Sequence, residues 1–268
     1  MNILFIGCGK MGLAIANNLI NEKSFKTSEI SVLKPTSKNQ IKGVKYYQKS
    51  QELSDEKYIA DVVFIAVKPQ NVQEVLEELS DKNIFDSKTI FISILAGKKI
   101  EFFTNILGKK AKIIRSMPNM PIIDSQGILL YQINENINKT ELKKFANIFA
   151  KFGFAYEIKD EKLFDPLTAM FGSGPAYLLL FQDIICEIAT KHNVKKEDAI
   201  SLVKQLFLGT SLMSCNSDLS FRELKENITS KAGTTASGLS VFENEDSLKN
   251  LTKLAIDEAT KRSKELSN

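Results

Sequence analysis

The sequence contains few of the side chains that usually carry acid–base or metal chemistry. It has one histidine, His192, no tryptophan, and three cysteines, Cys8, Cys186 and Cys215, which are far apart and form no Cys-x-x-Cys pair. An odd number of widely spaced cysteines is typical of reduced thiols in a cytoplasmic protein and argues against a disulfide framework or a zinc site. We therefore expect no metal site.

A strong charge imbalance is also missing. The 268 residues include 36 basic and 32 acidic side chains, a net charge of +4, and no run of Lys or Arg is longer than two. This balance argues against nucleic acid as a partner and suits small anionic molecules. The N-terminal residues MNILFIGCGK do not resemble a signal peptide, and no stretch approaches the ~20 apolar residues of a membrane span. We expect a cytoplasmic protein without a membrane partner.

Short apolar runs alternate with helical patterns in the first half of the chain. Helices are predicted at 11–21 and 72–80, and strands at 2–6, 29–33, 44–47, 61–67, 89–94, 111–117 and 127–133. Strands that alternate with helices predict an α/β fold with a parallel, doubly wound sheet of the Rossmann type.

The strand pattern ends at about residue 158. Helices are predicted at 172–193, at 197–215, after the capping box formed by Ser220 and Glu223, and at 246–266. We therefore predict a dinucleotide-binding domain at 1–158 and an all-helical domain at 159–268. The helix at 172–193 is apolar around much of its circumference, which indicates burial on more than one side and suggests a second chain as its cover.

A glycine motif follows the first predicted strand and opens the first predicted helix. In FIGCGKMG, Gly7 permits a tight turn, Gly9 lets the backbone approach a pyrophosphate, and Gly12 lets the helix pack close to the strand. A plain strand-to-helix turn is the alternative, but the position between a strand and a helix favours dinucleotide binding. The predicted loop residues are Ile6, Gly7, Cys8, Gly9, Lys10, Met11 and Gly12.

The end of the second strand lacks the acidic residue with which NAD sites usually bind the ribose. Lys34, Thr36, Ser37 and Lys38 stand there instead. Two cations and two hydroxyls suit a 2′-phosphate and favour NADPH, whereas a solvated turn with incidental lysines leaves NADH possible.

Two later strands end in further candidate coenzyme residues, because the carboxyl ends of parallel strands line the ligand crevice. Lys68 is placed to lie near the nicotinamide, although a Lys-Pro helix start explains it almost as well. The candidates at these two strand ends are Ala66, Val67, Lys68, Pro69, Ala96 and Gly97.

The chain also lacks an obvious general base. The β-hydroxyacid dehydrogenases carry a lysine in the long helix after the Rossmann domain, but here no lysine occurs between residues 172 and 190. Reduction of a C=N bond does not require such a general base, because an iminium already carries its proton. In the segment SKAGTT, Ser230, the Gly233 amide and Thr234 can hold a carboxylate at a helix N-terminus, and Thr235 can reach a ring nitrogen.

Taken together, the motifs FIGCGKMG, AVKPQ, RSMPNMP, GSGPAY and SKAGTT occur in the order and spacing of one family. The chain resembles the Δ1-pyrroline-5-carboxylate reductases, which catalyse the last step of proline synthesis. The resemblance implies an N-terminal Rossmann domain and a helical C-terminal domain for substrate binding and dimerisation. It also implies homodimers that assemble further, typically into decamers, and NADPH-dependent reduction of the imine to L-proline.

The resemblance also assigns residue roles. It places Ser230, Gly233 and Thr234 on the substrate carboxylate, makes Thr235 the catalytic partner of the imine nitrogen, and puts Glu161 in contact with substrate. Asn227 falls where the family contacts the nicotinamide coenzyme. The other implied coenzyme positions are Met11, Lys34, Thr36, Ser50, Val67, Lys68 and Ala96.

Two departures from the family pattern stand out. Lys231 and Ala232 replace the usual Pro-Gly, and Met120 replaces a threonine. The first leaves open a non-catalytic protein that senses NADPH, because a changed loop can bind coenzyme without turnover. A related imine or ketone reductase for another small acid is the third alternative, since the loop does not fix ring size.

Overall fold

The computed structural model describes residues 1–36 and 39–267, without the side chain of Ser267. The chain forms two compact units. Unit 1 contains Met1–Ser173 and the C-terminal residues from Ala259, and unit 2 contains Gly174–Glu258. The predicted boundary between residues 158 and 159 separates a dinucleotide-binding domain from a helical domain for substrate binding and dimerisation. That boundary stays a prediction.

Unit 1 is an α/β structure. Its strands are β1 (Ile3–Ile6), β2 (Ile30–Leu33), β3 (Lys45–Tyr47), β4 (Val62–Ile65), β5 (Ile90–Ser93), β6 (Lys112–Pro118), β7 (Gly127–Ile133) and β8 (Gly153–Glu157). Its helices are α1 (Lys10–Asn21), α2 (Ser50–Asp55), α3 (Val72–Asp81), α4 (Ile100–Leu107), α5 (Lys139–Phe149) and α6 (Phe164–Leu167).

The eight strands form one sheet in the order β3-β2-β1-β4-β5-β6-β7-β8. All neighbours pair in parallel except β6 and β7, where Ile114 lies opposite Ile133 in an antiparallel ladder. The connection from β6 to β7 contains only a short 3₁₀ helix, Met120–Asp124, so it reverses the chain and cannot cross back over the sheet. The predicted doubly wound sheet is confirmed.

The apolar strands are buried on both faces. In β1, Ile3 and Phe5 pack into the core beneath α1 and α5, whereas Leu4 and Ile6 pack into the core beneath α2, α3 and α4. Phe5 stacks on Phe64 with ring centroids 4.6 Å apart. Each fully buried side chain of this kind contributes about 1.5–3 kcal/mol, so the two cores fix the sheet that carries the coenzyme loops.

Unit 2 is entirely helical. Its helices are α7 (Gly174–Lys191), α8 (Lys196–Cys215), α9 (Phe221–Asn227), α10 (Thr234–Glu243) and the first part of α11 (Ser247–Ser267). Among its described hydrophobic residues only Ala199 and Val203 are buried, whereas Leu178, Leu179 and Leu180 are each about 60% exposed. Unit 2 therefore has almost no hydrophobic interior of its own.

One helical stretch, Glu161–Lys191, is long and apolar enough to cross a membrane by length and composition alone. This finding contradicts the expectation that no stretch approaches such a length. The apolar window has 6% of its residues buried within the chain. The prediction that residues 172–193 form an apolar helix is confirmed, with the helix beginning at Gly174.

The remaining predicted elements are observed with ends shifted by a few residues; the predicted strand at 61–67, for example, is β4 at Val62–Ile65. Five of the labelled elements were not predicted: α2, α4, α5, α6 and β8. A local signal for α5 exists, because Asn138 and Glu141 form a capping box at its start. The strand β8 has no such signal, since its exposed Phe154 and Tyr156 break the usual apolar pattern.

Candidate coenzyme and substrate sites

The turn between β1 and α1 fits a phosphate-binding loop. Gly7 has a φ of +74°, and a Cβ at this position would lie 2.7 Å from the carbonyl oxygen of Ala66. The Gly7 N–H donates to the Leu33 carbonyl at 2.8 Å, which fixes the loop between the ends of β2 and β4. Only glycine combines this backbone conformation with so close an approach of two strand ends.

The N-terminus of α1 is open to a ligand. Gly9 precedes the helix, and apart from its two chain neighbours no described residue has a heavy atom within 4 Å of the position that its Cβ would take. The first turn has no side-chain cap and no acidic residue. Its free N–H groups and the positive end of the helix dipole are therefore not compensated by a side chain. A Cβ on Gly12 would meet the Ala66 side chain at 3.3 Å, so α1 lies close to the sheet. The loop therefore fits a pyrophosphate.

A cavity of about 370 Å³ adjoins this loop. It brings together five of the predicted coenzyme residues, and it adds others that sequence reasoning missed. The predicted residues on its wall are Ile6, Gly7, Lys34, Ser50 and Val67. The additional ones are Leu33, Pro35, Gln48, Lys49, Gln51, Val75, Glu78 and Lys82. Thr36 is exposed and does not line the cavity, whereas Ser37 and Lys38 lie outside the described residues.

Lys34 is the predicted cation of this pocket. Its side chain is largely buried, with Nζ 3.4 Å from the carbonyl oxygen of Asn39 and 5.3 Å from the centroid of the Tyr46 ring. The carbonyl and the ring face both attract the ammonium group and hold it at the cavity. A fixed cation beside the end of β2 fits the 2′-phosphate of NADP.

Cys8 occupies the middle of the glycine loop as a neutral thiol. Burial raises the pKa of Cys8 to about 11, and the nearby Lys34 charge lowers it only in part. The thiol therefore carries no negative charge at neutral pH that would repel a phosphate. Positive charge at the loop is supplied by Lys34, by Lys10 and by the N-terminus of α1.

The other predicted coenzyme residues lie at the ends of neighbouring strands. The Ala66 N–H donates to the Ile6 carbonyl at 2.8 Å, which ties the end of β4 to the glycine loop. Lys68 is exposed and precedes a short 3₁₀ helix, Pro69–Asn71. Ala96 and Gly97 follow β5, the next strand in the sheet. Except for Val67 they lie outside the cavity wall, so their contact with coenzyme stays a prediction.

Glu161 has a structural partner that the sequence did not reveal. Its Oε1 accepts from Arg115 Nη1 at 2.7 Å and from the Ile100 N–H at 3.2 Å. Arg115 is 3% exposed, and its guanidinium lies 3.9 Å from the centroid of the Phe164 ring. Glu161 is therefore the counter-ion of a buried arginine, and its contact with substrate stays a prediction. A charged residue inside the apolar run KIIRSMP was the available signal.

The turn that contains Met120 is held by hydrogen bonds of the neighbouring Asn119. Met120 is exposed, whereas Asn119 is buried and accepts from the Ile128 N–H at 2.8 Å. The Asn119 amide also donates to the Phe171 carbonyl at 2.9 Å. The turn is thus held without the hydroxyl that the family has at position 120.

The segment SKAGTT in unit 2 is a turn that opens α10, as predicted. Gly233 precedes the helix, and its N–H donates to the Ser230 carbonyl at 3.1 Å. A Cβ on Gly233 would collide with the Ser230 hydroxyl, so glycine allows that hydroxyl to lie against the turn. Since the Gly233 N–H is used in the turn, its predicted contact with a carboxylate stays a prediction.

Thr234 and Thr235 are the first two residues of α10 and are exposed. In the described part of the chain, neither threonine hydroxyl has a hydrogen-bond partner. The first N–H groups of a helix also lack partners within the helix. Two hydroxyls and the free N–H groups of a helix start are suited to a small anion. Asn227, the last residue of α9, is also exposed.

Ala232 has a φ of +55°, the left-handed region that glycine adopts without strain. We expect Ala232→Gly to raise the free energy of unfolding by about 0.5–1 kcal/mol and the melting temperature by about 1–4 °C. Calorimetry at one fixed protein concentration measures both. The matched control is Ala236→Gly inside α10, which is expected to destabilise. Equal destabilisation by both changes would show that Ala232 is not strained.

The comparisons with known proteins concern both parts of the chain. Residues 2–97 match a family model described as NADP oxidoreductase, coenzyme F420-dependent, and residues 161–266 match one for pyrroline-5-carboxylate reductase dimerisation. A pyrroline-5-carboxylate reductase of Aquifex aeolicus is 31% identical over 99% of this chain and 97% of its own. The chain belongs to the pyrroline-5-carboxylate reductase family.

Two solved pyrroline-5-carboxylate reductase structures share the whole fold. The Plasmodium falciparum enzyme with NADP bound has a TM-score of 0.89 and 32% identity, covering 100% of this chain and 98% of its own. The Coxiella burnetii enzyme has a TM-score of 0.86 and 31% identity over the same shares. The resemblance read from the motifs, the Rossmann and helical domains, and NADP as coenzyme are confirmed. The individual site residues stay predictions.

Proposed function

We propose that the chain reduces 1-pyrroline-5-carboxylate to L-proline with NADPH, the final step of proline biosynthesis. The observation that carries the proposal is the hydroxyl pair Thr234–Thr235 at the start of α10, in a chain that matches pyrroline-5-carboxylate reductases along its whole length. NADH is a second possible coenzyme. The balanced reaction consumes NADPH, a proton and the imine, and yields NADP⁺ and proline.

The residues of unit 1 are proposed to bind and orient the coenzyme. The loop Gly7–Gly12 and the N-terminus of α1 hold the pyrophosphate, and Lys34 pairs with the 2′-phosphate. Val67 and Ser50 contribute to the wall of the adjoining cavity. When bound, NADPH supplies the hydride that the imine carbon C5 accepts.

The residues of unit 2 are proposed to bind the substrate. The Ser230 and Thr234 hydroxyls, with the N–H groups at the start of α10, hold the carboxylate. The iminium N–H donates to Thr235 Oγ1, which fixes the ring. The iminium brings its own proton, so the site needs no histidine base, and His192 is exposed directly after α7. Orientation and anion binding then supply most of the rate acceleration.

Steady-state oxidation of NADPH by the purified protein with 1-pyrroline-5-carboxylate tests this function. We expect loss of NADPH absorbance with formation of proline in equal amount. Coenzyme binding without turnover would favour the sensor, for which the replacement at Lys231 and Ala232 is the argument. Faster turnover of a six-membered cyclic imino acid would favour the related imine reductase.

We also propose a cytoplasmic homodimer that assembles further, typically into a decamer, without membrane or nucleic acid. The match of residues 161–266 to a dimerisation domain supports homo-oligomerisation. The leucines of α7 and α8 that unit 2 leaves exposed give such an assembly its apolar surface. The same surface accounts for the apolar stretch Glu161–Lys191. Light scattering in detergent-free buffer should give twice or ten times the mass of the chain.

A further inference from the structure

The coenzyme cavity contains a carboxylate, which a site built only for a 2′-phosphate would exclude. Glu78 on α3 lines the cavity together with Lys34, Lys49 and Lys82. It is the one acidic side chain among the described residues that line this cavity. The wall therefore presents both signs of charge to the coenzyme.

Glu78 is held at the wall by a hydrogen bond. The hydroxyl of Ser50, the buried first residue of α2, donates to Glu78 Oε1. A serine hydroxyl has a single hydrogen, and here the carboxylate receives it. Toward the cavity, Ser50 Oγ can therefore accept a hydrogen bond but has no hydrogen left to donate to a phosphate.

We propose that Glu78 is a coenzyme-selectivity residue, which limits the preference for NADPH and keeps the pocket open to NADH. The inference rests on the proposed coenzyme site. A phosphomonoester carries a charge of about −1.5 to −2 at neutral pH, where NADH has an uncharged hydroxyl. A fixed carboxylate on the same wall repels the 2′-phosphate, so it raises the free energy of bound NADPH and leaves that of bound NADH almost unchanged. Lys34 attracts the 2′-phosphate and so favours NADPH. The two side chains together therefore set the ratio of the affinities for NADPH and NADH.

Glu78→Gln tests the proposal, because it removes the charge and keeps an acceptor for Ser50. Isothermal titration of the intact protein with NADP⁺ and with NAD⁺, without substrate, measures binding independently of turnover. We expect the Kd of NADP⁺ to fall about 5-fold and that of NAD⁺ to change less than about 2-fold. The difference should shrink at high ionic strength, because salt screens the charges.

The matched control is Glu77→Gln, one residue earlier on α3. Glu77 does not line the cavity and accepts from Gln73 Nε2 at 3.0 Å. The same ratio change in both variants would assign the effect to net charge and overturn the proposal. Equal changes for NADP⁺ and NAD⁺ in Glu78→Gln would also overturn it.

A double-mutant cycle tests the hydrogen bond to Ser50. In a Ser50→Ala background Glu78 lacks the hydrogen bond that positions it. Glu78→Gln should therefore change the ratio of the Kd values for NADP⁺ and NAD⁺ by less than it does in the wild type. An undiminished change would overturn the positioning by Ser50. If the wild-type protein bound neither dinucleotide, the proposed coenzyme site would fail together with this inference. If the wild type bound both and Glu78→Gln left the ratio of the two Kd values unchanged, only the inference would be overturned.

Discussion

Replacing Thr235 by alanine is expected to lower kcat about 30-fold and to leave the Kd of NADPH within about 2-fold, because hydrogen bonds to charged groups contribute about 1.5–3 kcal/mol. Thr235 is exposed at the second position of α10, and in the described part of the chain its hydroxyl has no hydrogen-bond partner. We assign that hydroxyl to the iminium nitrogen and not to the coenzyme. Steady-state kinetics with separate titration of NADPH distinguish the two contributions.

Two further variants make the Thr235 result specific. Thr235→Ser keeps the hydroxyl and is expected to restore most of kcat. Thr234→Ala removes the hydroxyl assigned to the carboxylate, so it should raise KM for the imino acid more than it lowers kcat. If Thr235→Ala turned over at the wild-type rate, Thr235 would have no part in the mechanism.

Replacing Lys34 by glutamate is expected to raise the KM for NADPH about 30-fold and that for NADH less than about 3-fold, because repulsion takes the place of attraction at the 2′-phosphate. Lys34 is only 8% exposed, so the pair is poorly screened by solvent. Steady-state kinetics with each coenzyme give the two KM values. The effect on NADPH should weaken as salt is added.

Two variants control for side effects of the charge reversal. Lys34→Gln avoids a buried carboxylate and is expected to change the KM for NADPH in the same direction by a smaller factor. Lys42→Glu reverses the charge of an exposed lysine outside the cavity wall and should leave the NADPH to NADH ratio unchanged. Equal KM increases for both coenzymes in Lys34→Glu would remove Lys34 from phosphate recognition.

The features that were predicted from the sequence are those that local patterns determine. Near-continuous apolar runs of four residues, such as Ile3–Ile6, give strands buried on both faces. The motif around Gly7 gives the loop, because its spacing already encodes a turn followed by a helix. The hydroxyl pair Thr234–Thr235 was placed at a helix start for the same reason.

The features that were missed depend on residues far apart in the chain. Arg115 meets Glu161 across 46 positions, and Ser50 meets Glu78 across 28. Neither pair has a local pattern, because only the packing of strands and helices brings the partners together. The left-handed conformation of Ala232 was also missed, since alanine itself disfavours it.

The nearly absent interior of unit 2 means that, in the proposed homodimer, the folding of its helices depends on a second copy of the chain. Unit 1 differs, because the buried hydrophobic clusters on both faces of its sheet lie within a single chain. The helices of unit 2 bury little of their apolar surface within one chain, so in the proposed homodimer their stability rises with the concentration of the protein. A defect in these helices therefore acts in trans, because a damaged copy also deprives its sound partner of cover.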